Sequence, residues 1–94
     1  MESIFGLEGK VALVTGSTRG IGWASAQILS RHGATVILNG CANQDLLQRR
    51  VTELREMFGG EVDSYLGDVG NPASVKECYS TIFRNFKQLD ILVN

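Results

Sequence analysis

The stretch Thr15-Gly16-Ser17-Thr18-Arg19-Gly20-Ile21-Gly22 follows an apolar run at 11–14 and leads into a helix-patterned segment. A buried strand, a glycine-dense turn and a helix start, in that order, form a site for an anionic ligand. Glycines allow a sharp bend and a close approach, because no Cβ is in the way. The free N–H groups and the positive dipole end of the new helix attract phosphate. The stretch therefore predicts a nucleotide-binding turn.

On both sides of this turn, short apolar strands alternate with amphipathic helices. We predict strands at 11–14, 35–38, 62–66 and 90–94. Glycines at 33 and 59–60 are typical of helix ends, and the pair Asn71-Pro72 is typical of a helix start. The apolar positions of the three predicted helices are Ile21, Ala24, Ile28 and Leu29, then Leu47, Val51, Leu54 and Phe58, then Val75, Cys78, Tyr79, Ile82 and Phe86.

This β-α-β-α-β-α-β order predicts one α/β domain over residues 1–94, with a parallel sheet and crossover helices. We expect a Rossmann-like, doubly wound sheet with strand order 3-2-1-4. That order places the glycine turn at the switch point of the sheet, where ligands bind. We expect the sheet to be truncated after its fourth strand.

Composition and charge exclude several classes of partner. The net charge of −1 gives no broad basic field, so we expect neither nucleic acid nor an anionic membrane surface as a partner. No apolar run approaches the roughly 20 residues that span a bilayer. The segment Met1-Glu2-Ser3-Ile4-Phe5 lacks the features of a secretory signal. Cys41 and Cys78 indicate neither a disulfide framework nor a metal site. We expect a protein of the cytoplasm or of an organelle matrix.

The spacing Gly-x-x-x-Gly-x-Gly differs from the common dinucleotide fingerprint and from the P-loop. We expect Gly16 to permit the turn, Gly20 to allow close ligand approach, and Gly22 to let the helix pack tightly against the sheet. Ser17 and Thr18 add hydroxyls suited to a phosphate or to a helix cap. The alternative is a tight turn with a purely structural role.

Three motifs, taken together, resemble the short-chain dehydrogenase/reductase family, and the branch with 3-oxoacyl-acyl-carrier-protein reductases most of all. The first is Thr-Gly-Ser-Thr-Arg-Gly-Ile-Gly. The second is Gly67-Asp68-Val69, which is similar to the family's Asp-Val pair. The third is 89–94, which is similar to the strand entering the family's Asn-Asn-Ala-Gly motif, of which only the first Asn is present. The resemblance covers about Leu7 to Asn94.

The resemblance implies a nicotinamide dinucleotide as cofactor. It implies that Asp68 accepts a hydrogen bond from the adenine amino group, beside the Val69 backbone, and that Asn94 lies under the ribose. The alternatives are a turn-forming Asp68 and a solvated Asn94. The residues implied to cradle the pyrophosphate and adenosine ribose are Gly16, Ser17, Thr18, Arg19, Gly20, Ile21 and Gly22, with Asn39 and Gly40 at the end of the second strand.

Cofactor choice depends on charge at the end of the second strand. An NAD enzyme usually has an acidic residue there, which binds the ribose 2′-hydroxyl. In this chain the position is Gly40, so no carboxylate repels a 2′-phosphate. Arg19 offers that phosphate a planar, bidentate partner, and the alternative is a solvated residue of the turn. The second basic residue of some NADP-specific relatives would fall at Cys41 and is absent. We therefore predict NADP (NADPH) over NAD.

The family's catalytic pair is a Tyr with a Lys four residues later, which lowers the tyrosine pKa. Val69 follows Tyr65 at that distance and Phe83 follows Tyr79, so neither tyrosine forms the pair. The resemblance places the pair beyond Asn94, and we expect no catalytic residue and no turnover in this chain alone. In the complete protein it implies hydride transfer to a small-molecule carbonyl, such as a 3-oxoacyl group, and a homodimer or homotetramer.

Two further interpretations stay open. One is a non-catalytic, truncated nucleotide-binding or interaction module. The other is a methyltransferase with a similar turn, which would bind S-adenosylmethionine. The three ordered motifs favour the oxidoreductase, and an unpaired edge at 91–93 favours a protein in which further strands follow.

Overall fold

The computed structural model describes residues 6–94, so the N-terminal segment tested above for a secretory signal lies outside the described residues. Strands and helices alternate strictly. The elements are β1 Val11–Val14, α1 Gly20–Arg31, β2 Thr35–Gly40, α2 Gln44–Phe58, β3 Val62–Leu66, α3 Pro72–Phe86 and β4 Ile91–Val93.

The strands form one parallel sheet in the order β3-β2-β1-β4, which confirms the predicted Rossmann-like fold. Val14 at the end of β1 lies opposite Leu38 of β2 and Val93 of β4. β2 is two residues longer than predicted, because it stays paired with β3 as far as Gly40, opposite Leu66. The carboxyl ends of the strands therefore meet at one edge.

Each face of the sheet is covered by helices, since alternate residues of a strand point to opposite sides. Ala12 and Val14 of β1 contribute to the core under α1 and α2. Val11 and Leu13 contribute to the core under α3. The first core comprises Ala12, Val14, Ala26, Ala34, Val36, Leu38, Leu47, Val51, Leu54 and Val62, and the second comprises Val11, Leu13, Ile37, Cys78 and Ile82.

The apolar stripe predicted for α1 is wrong except at Leu29, which packs against the first core. Ile21 and Ile28 are 86% and 60% exposed, whereas α1 buries Ala26 and Ser30 against the sheet. Short side chains on the buried face let the helix lie close to the strands, and Ile21 and Ile28 are left outside. Phe58, at the end of the predicted stripe of α2, is also exposed.

The end of α2 and the start of α3 follow the sequence signals. The side chain of Asn43 accepts a hydrogen bond from Leu46 N, and that of Asn71 accepts from the first-turn amides of α3. Pro72 occupies the first turn of α3, where its missing N–H costs nothing. α2 ends at Gly59, as predicted.

Asp90, directly before β4, is hydrogen-bonded to the first residue of β1. Its Oδ2 accepts a hydrogen bond from Val11 N at 2.8 Å, and its own N–H donates to Val11 O at 2.9 Å. The bond from Val11 is the main reason that the pKa of Asp90 is lowered. A lowered pKa stabilises the fold above the ordinary aspartate pKa, and this stabilisation is lost as the pH falls through the lowered value.

Ser30 is 2% exposed, and its Oγ has no hydrogen-bond partner within residues 6–94. A buried hydroxyl without a partner costs free energy, so we expect Ser30→Ala to raise the free energy of unfolding by about 1 kcal/mol. Urea denaturation of the full-length protein measures this. The exposed Ser80, replaced by Ala on α3, is the control and should change stability by less than about 0.5 kcal/mol. A clear loss of stability in Ser30→Ala would contradict the prediction.

No helix within residues 6–94 combines the length and the apolar character that a membrane crossing requires. In the same residues, no group of three or more His, Cys, Asp or Glu side chains is arranged to hold a metal ion.

Candidate nucleotide-binding site

The segments singled out in the sequence meet at the carboxyl edge of the sheet. The glycine-rich turn 15–22 follows β1, the pair 39–40 ends β2, the segment 67–69 follows β3, and Asn94 follows β4. Parallel strands deliver their carboxyl ends to the same edge, which is where open α/β sheets bind ligands. All of the predicted site residues therefore lie at this edge.

The backbone conformation of the turn depends on its glycines. Gly16 and Gly20 have φ values of +56° and +60°, in the left-handed region that favours glycine. Apart from the adjoining backbone, a methyl group added at either would meet no atom of residues 6–94 within 4 Å, so the backbone there borders open space. At Gly22, by contrast, a Cβ would overlap the carbonyl oxygen of Gly16. The nearest neighbours of Gly22 therefore belong to the turn.

The N-terminus of α1 has no side-chain cap, unlike those of α2 and α3 among the helices of residues 6–94. Arg19 occupies the N-cap position with an extended backbone, at φ −156° and ψ 171°, and the first turn contains no acidic residue. The first amides of a helix need an acceptor from outside it. This end of α1 is suited to an anionic ligand.

Asn39 joins three segments of the edge. Its Oδ1 accepts a hydrogen bond from Gly16 N at 3.1 Å, and its Nδ2 donates to Tyr65 O at 3.1 Å and Gly67 O at 3.2 Å. The residue is 2% exposed. Its amide therefore fixes the glycine-rich turn to the loop that follows β3.

Ser17 also points inward. It is 0% exposed, and its hydroxyl accepts a hydrogen bond from Asn39 N at 2.8 Å. Ser17 and Asn39 are among the predicted cofactor-binding residues, and in this structure the side chains of both are enclosed and hydrogen-bonded within the protein. Their position suits holding the turn in shape rather than contacting a ligand.

A cleft of about 390 Å³ lies between the turn and the start of α2. It brings together the predicted residues Arg19 and Gly40. A Cβ at Gly40 would lie 3.4 Å from the Thr18 methyl group, so the position has little spare room. The residues that line the cleft are Gly16, Thr18, Arg19, Gly40, Cys41, Ala42 and Asn43. Sequence reasoning missed Ala42 and Asn43 as lining residues, because the loop after β2 carried no motif.

A second hollow, of about 190 Å³, lies on the α3 side of the edge. The predicted residues Val69 and Asn94 both line it. Thr15 joins this side to the turn, since its hydroxyl donates to Asn94 Oδ1 at 3.2 Å and its N–H donates to Val93 O at 2.9 Å. The turn therefore separates two hollows, and each is lined by a different part of the predicted site.

Asp68 is exposed, and its Oδ1 accepts a hydrogen bond from Gly70 N at 2.8 Å. This is the turn-forming arrangement that was the alternative to a cofactor contact. The turn leaves the carboxylate at the carboxyl end of β3.

Cys78, which lines the second hollow, and Tyr65 on β3 both have a raised pKa. Burial raises the pKa of the Cys78 thiol. Desolvation and the nearby charge of Glu77 raise the pKa of Tyr65, whose hydroxyl donates to Ser74 O at 3.1 Å. A proton donor of the predicted chemistry needs a lowered tyrosine pKa, so Tyr65 is unsuited to that role.

Arg50 is a site-supporting residue that sequence reasoning missed. It lies on α2, and its Nε donates to the Thr18 carbonyl oxygen at 2.8 Å. Thr18 and Arg50 are 32 positions apart, so no local pattern connects them. A charged residue on a helix is usually solvated, and nothing in the sequence distinguished Arg50 from Arg49.

Comparison with known proteins matches residues 10–94 to the family model described as short chain dehydrogenase. The chain is 37% identical over 91 residues to 2-dehydro-3-deoxy-D-gluconate 5-dehydrogenase of Formosa agariphila, covering 97% of this chain and 34% of the relative. It is 34% identical over 88 residues to 3-oxoacyl-acyl-carrier-protein reductase of Thermotoga maritima, covering 94% and 35%. The chain thus spans about a third of the length of the curated relatives it matches.

The fold is similar to that of L-sorbose reductase from Gluconobacter frateurii, solved in complex with NADPH and L-sorbose. The TM-score is 0.92 at 36% sequence identity, and the alignment covers 98% of this chain and 35% of the other. The likeness therefore extends over nearly all of the chain.

Proposed function

Because this chain belongs to the short chain dehydrogenase family, we propose that it supplies the cofactor-binding part of an NADPH-dependent oxidoreductase that reduces a small carbonyl compound. The family is one of oxidoreductases, and the fold matches that of an NADPH-bound reductase. A 3-oxoacyl group is a candidate substrate, supported by the likeness to the Thermotoga maritima reductase.

The observation that carries the proposal is the uncapped N-terminus of α1 beside the cleft that contains Arg19 and Gly40. Free amides and the helix dipole suit a pyrophosphate. Gly16 and Gly20 leave their backbone open to a ligand, because a side chain there would occupy free space. The residues present therefore fit a dinucleotide.

In this proposal the turn 16–22 cradles the pyrophosphate through the amides at the start of α1, including that of Ile21, because the N–H groups of Gly16 and Ser17 already donate to Asn39. Asp68 and Val69 bind the adenine, and Asn94 with Thr15 orients the ribose. Bound NADPH supplies a hydride to the carbonyl carbon of the substrate. Ser17 and Asn39 act behind these groups, as the supports of the turn.

The preference for NADPH rests on charge at the cleft. Arg19 is exposed there, and Gly40 places no carboxylate against a 2′-phosphate. A guanidinium binds a phosphate through two parallel hydrogen bonds, and an acidic residue at position 40 would oppose it. Cys41 stands where a second basic residue would lie and supplies none.

We also propose that the chain alone does not turn over. Neither of its two tyrosines has a lysine four residues later, and Tyr65 has a raised pKa. The catalytic pair belongs to the complete enzyme, for which we propose a homodimer or homotetramer. The intact mass of the native protein tests this, together with a search of its coding sequence for Tyr-x-x-x-Lys.

Arg19→Glu in the full-length protein tests the cofactor assignment. We expect NADPH to bind about 10- to 100-fold more weakly, because a bidentate phosphate contact is replaced by repulsion. The affinity for NADH should change less than about threefold. Isothermal titration calorimetry measures both affinities. The matched control is Arg31→Glu, the same charge change at the other end of α1.

Unchanged NADPH binding in Arg19→Glu would contradict the assignment of Arg19. Binding of S-adenosylmethionine by the unaltered protein, without binding of NADPH, would contradict the proposed function as a whole and favour a methyltransferase.

A further inference from the structure

Arg50 of α2 stacks on Trp23 of α1, with its guanidinium carbon 4.7 Å from the centroid of the Trp23 ring. This is the distance of a cation–π contact. The Nε of Arg50 also donates to Thr18 O at 2.8 Å. The pair therefore links both helices to the glycine-rich turn.

Two hydrogen bonds hold the peptide groups on either side of Arg19, one from the Arg50 side chain and one from the backbone of α1. Arg50 binds the carbonyl before Arg19, which is that of Thr18, and the backbone N–H of Trp23 donates to the carbonyl of Arg19 itself at 3.3 Å. Fixing both peptide planes fixes the backbone of the residue between them. Arg19 is accordingly held extended, at φ −156° and ψ 171°.

The charge of Arg50 is neutralised locally. Its Nη1 lies 3.0 Å from Glu53 Oε2, and the two side chains are 25% and 34% exposed. A paired, partly buried guanidinium adds little net positive potential to the cleft. Arg50 therefore acts on the turn through geometry and not as a second phosphate-binding charge.

We propose that Arg50, stacked on Trp23, is a positioning residue that aims Arg19 into the cleft and thereby sets the selectivity for NADPH over NADH. The inference rests on the proposed function, in which Arg19 binds the 2′-phosphate. A purely structural role of Arg50 predicts a different result, since loss of folding would weaken the binding of NADPH and of NADH equally.

A double-mutant cycle in the full-length protein tests the positioning role, with NADPH and NADH affinities measured by titration calorimetry. We expect Arg50→Ala to weaken the binding of NADPH about fivefold and the binding of NADH less than about twofold, as for the loss of one orienting hydrogen bond. In an Arg19→Ala background, Arg50→Ala should not change the NADPH-to-NADH ratio further. Arg49→Ala is the matched control, because it removes the same charge from the exposed neighbour on the same helix.

Arg50→Lys separates geometry from charge. Lysine keeps the positive charge but lacks the planar guanidinium, so we expect it to restore less than half of the lost selectivity. Full restoration would overturn the geometric role. Trp23→Leu removes the stacking surface and keeps the backbone N–H, and it serves as the second variant if Arg50→Ala does not accumulate in folded form. We expect Trp23→Leu also to lower the selectivity for NADPH over NADH.

The outcomes distinguish this inference from the proposed function. If Arg19→Ala lowers the NADPH-to-NADH ratio and Arg50→Ala leaves it unchanged, the positioning role of Arg50 is overturned and that of Arg19 stands. If Arg19→Ala itself leaves the ratio unchanged, the phosphate-binding role of Arg19 fails, and the positioning role fails with it.

Discussion

Gly22→Ala is expected to lower the free energy of unfolding by about 3 kcal/mol and to weaken NADPH binding in parallel. The added methyl group would overlap the carbonyl oxygen of Gly16 and would lie 3.0 Å from the Cα of Ser17. Both contacts are with backbone, which cannot rotate away as a flexible side chain does. The turn or the first turn of α1 must move, and the candidate phosphate site moves with it.

Urea denaturation and titration with NADPH measure the two effects in the full-length protein. Gly60→Ala is the control, because its added methyl group would meet only Ser30 Oγ, at an ordinary contact distance of 3.6 Å. We expect that control to be neutral or slightly stabilising, through reduced entropy of the unfolded chain. A Gly22→Ala protein with unchanged stability would contradict the close packing of α1 on the turn.

Asn39→Asp is expected to destabilise the protein by about 3 to 5 kcal/mol at neutral pH, since it leaves an uncompensated charge in a buried position. The substitution preserves shape and keeps an acceptor for Gly16 N. It replaces the Nδ2 donor by an oxygen that faces the carbonyl oxygens of Tyr65 and Gly67. Loss of the Nδ2 donor should therefore weaken the contact between the glycine-rich turn and the loop after β3.

The effect of Asn39→Asp should depend on pH. Burial disfavours the charged carboxylate, so the pKa of the new carboxyl is raised in the folded state. The destabilisation grows as the pH rises above the ordinary aspartate pKa, and it shrinks as the pH falls toward that value. Denaturation at pH 5 and pH 8 measures the difference.

Asn43→Asp is the matched control for this substitution. Asn43 is exposed and caps α2, where aspartate is an equally good cap. We expect a change of less than about 0.5 kcal/mol. Equal effects at positions 39 and 43 would contradict the role of Asn39 as the link between the loops.

The elements with strong local signals were predictable. The run 11–14, the turn 15–22 and the pair Asn71-Pro72 carry their structure in residue type and spacing, and each lies where predicted. The alternation of strands and helices also predicted a parallel sheet, and the order 3-2-1-4 is that of the doubly wound dinucleotide-binding fold, which the glycine-rich turn indicates. The residues at the carboxyl edge follow directly from that order.

The sequence by itself therefore determined the order of the elements, the parallel sheet and the position of the candidate site, because local conformational preferences repeat at the period of each element. Only the tertiary structure decided that α1 turns Ala26 and not Ile28 toward the sheet, that Asn39 is enclosed, and that Arg50 reaches Thr18. These features depend on contacts between residues far apart in the chain. Which of several apolar or polar side chains makes such a contact is set by the fit of the packed elements, and no local pattern contains that information.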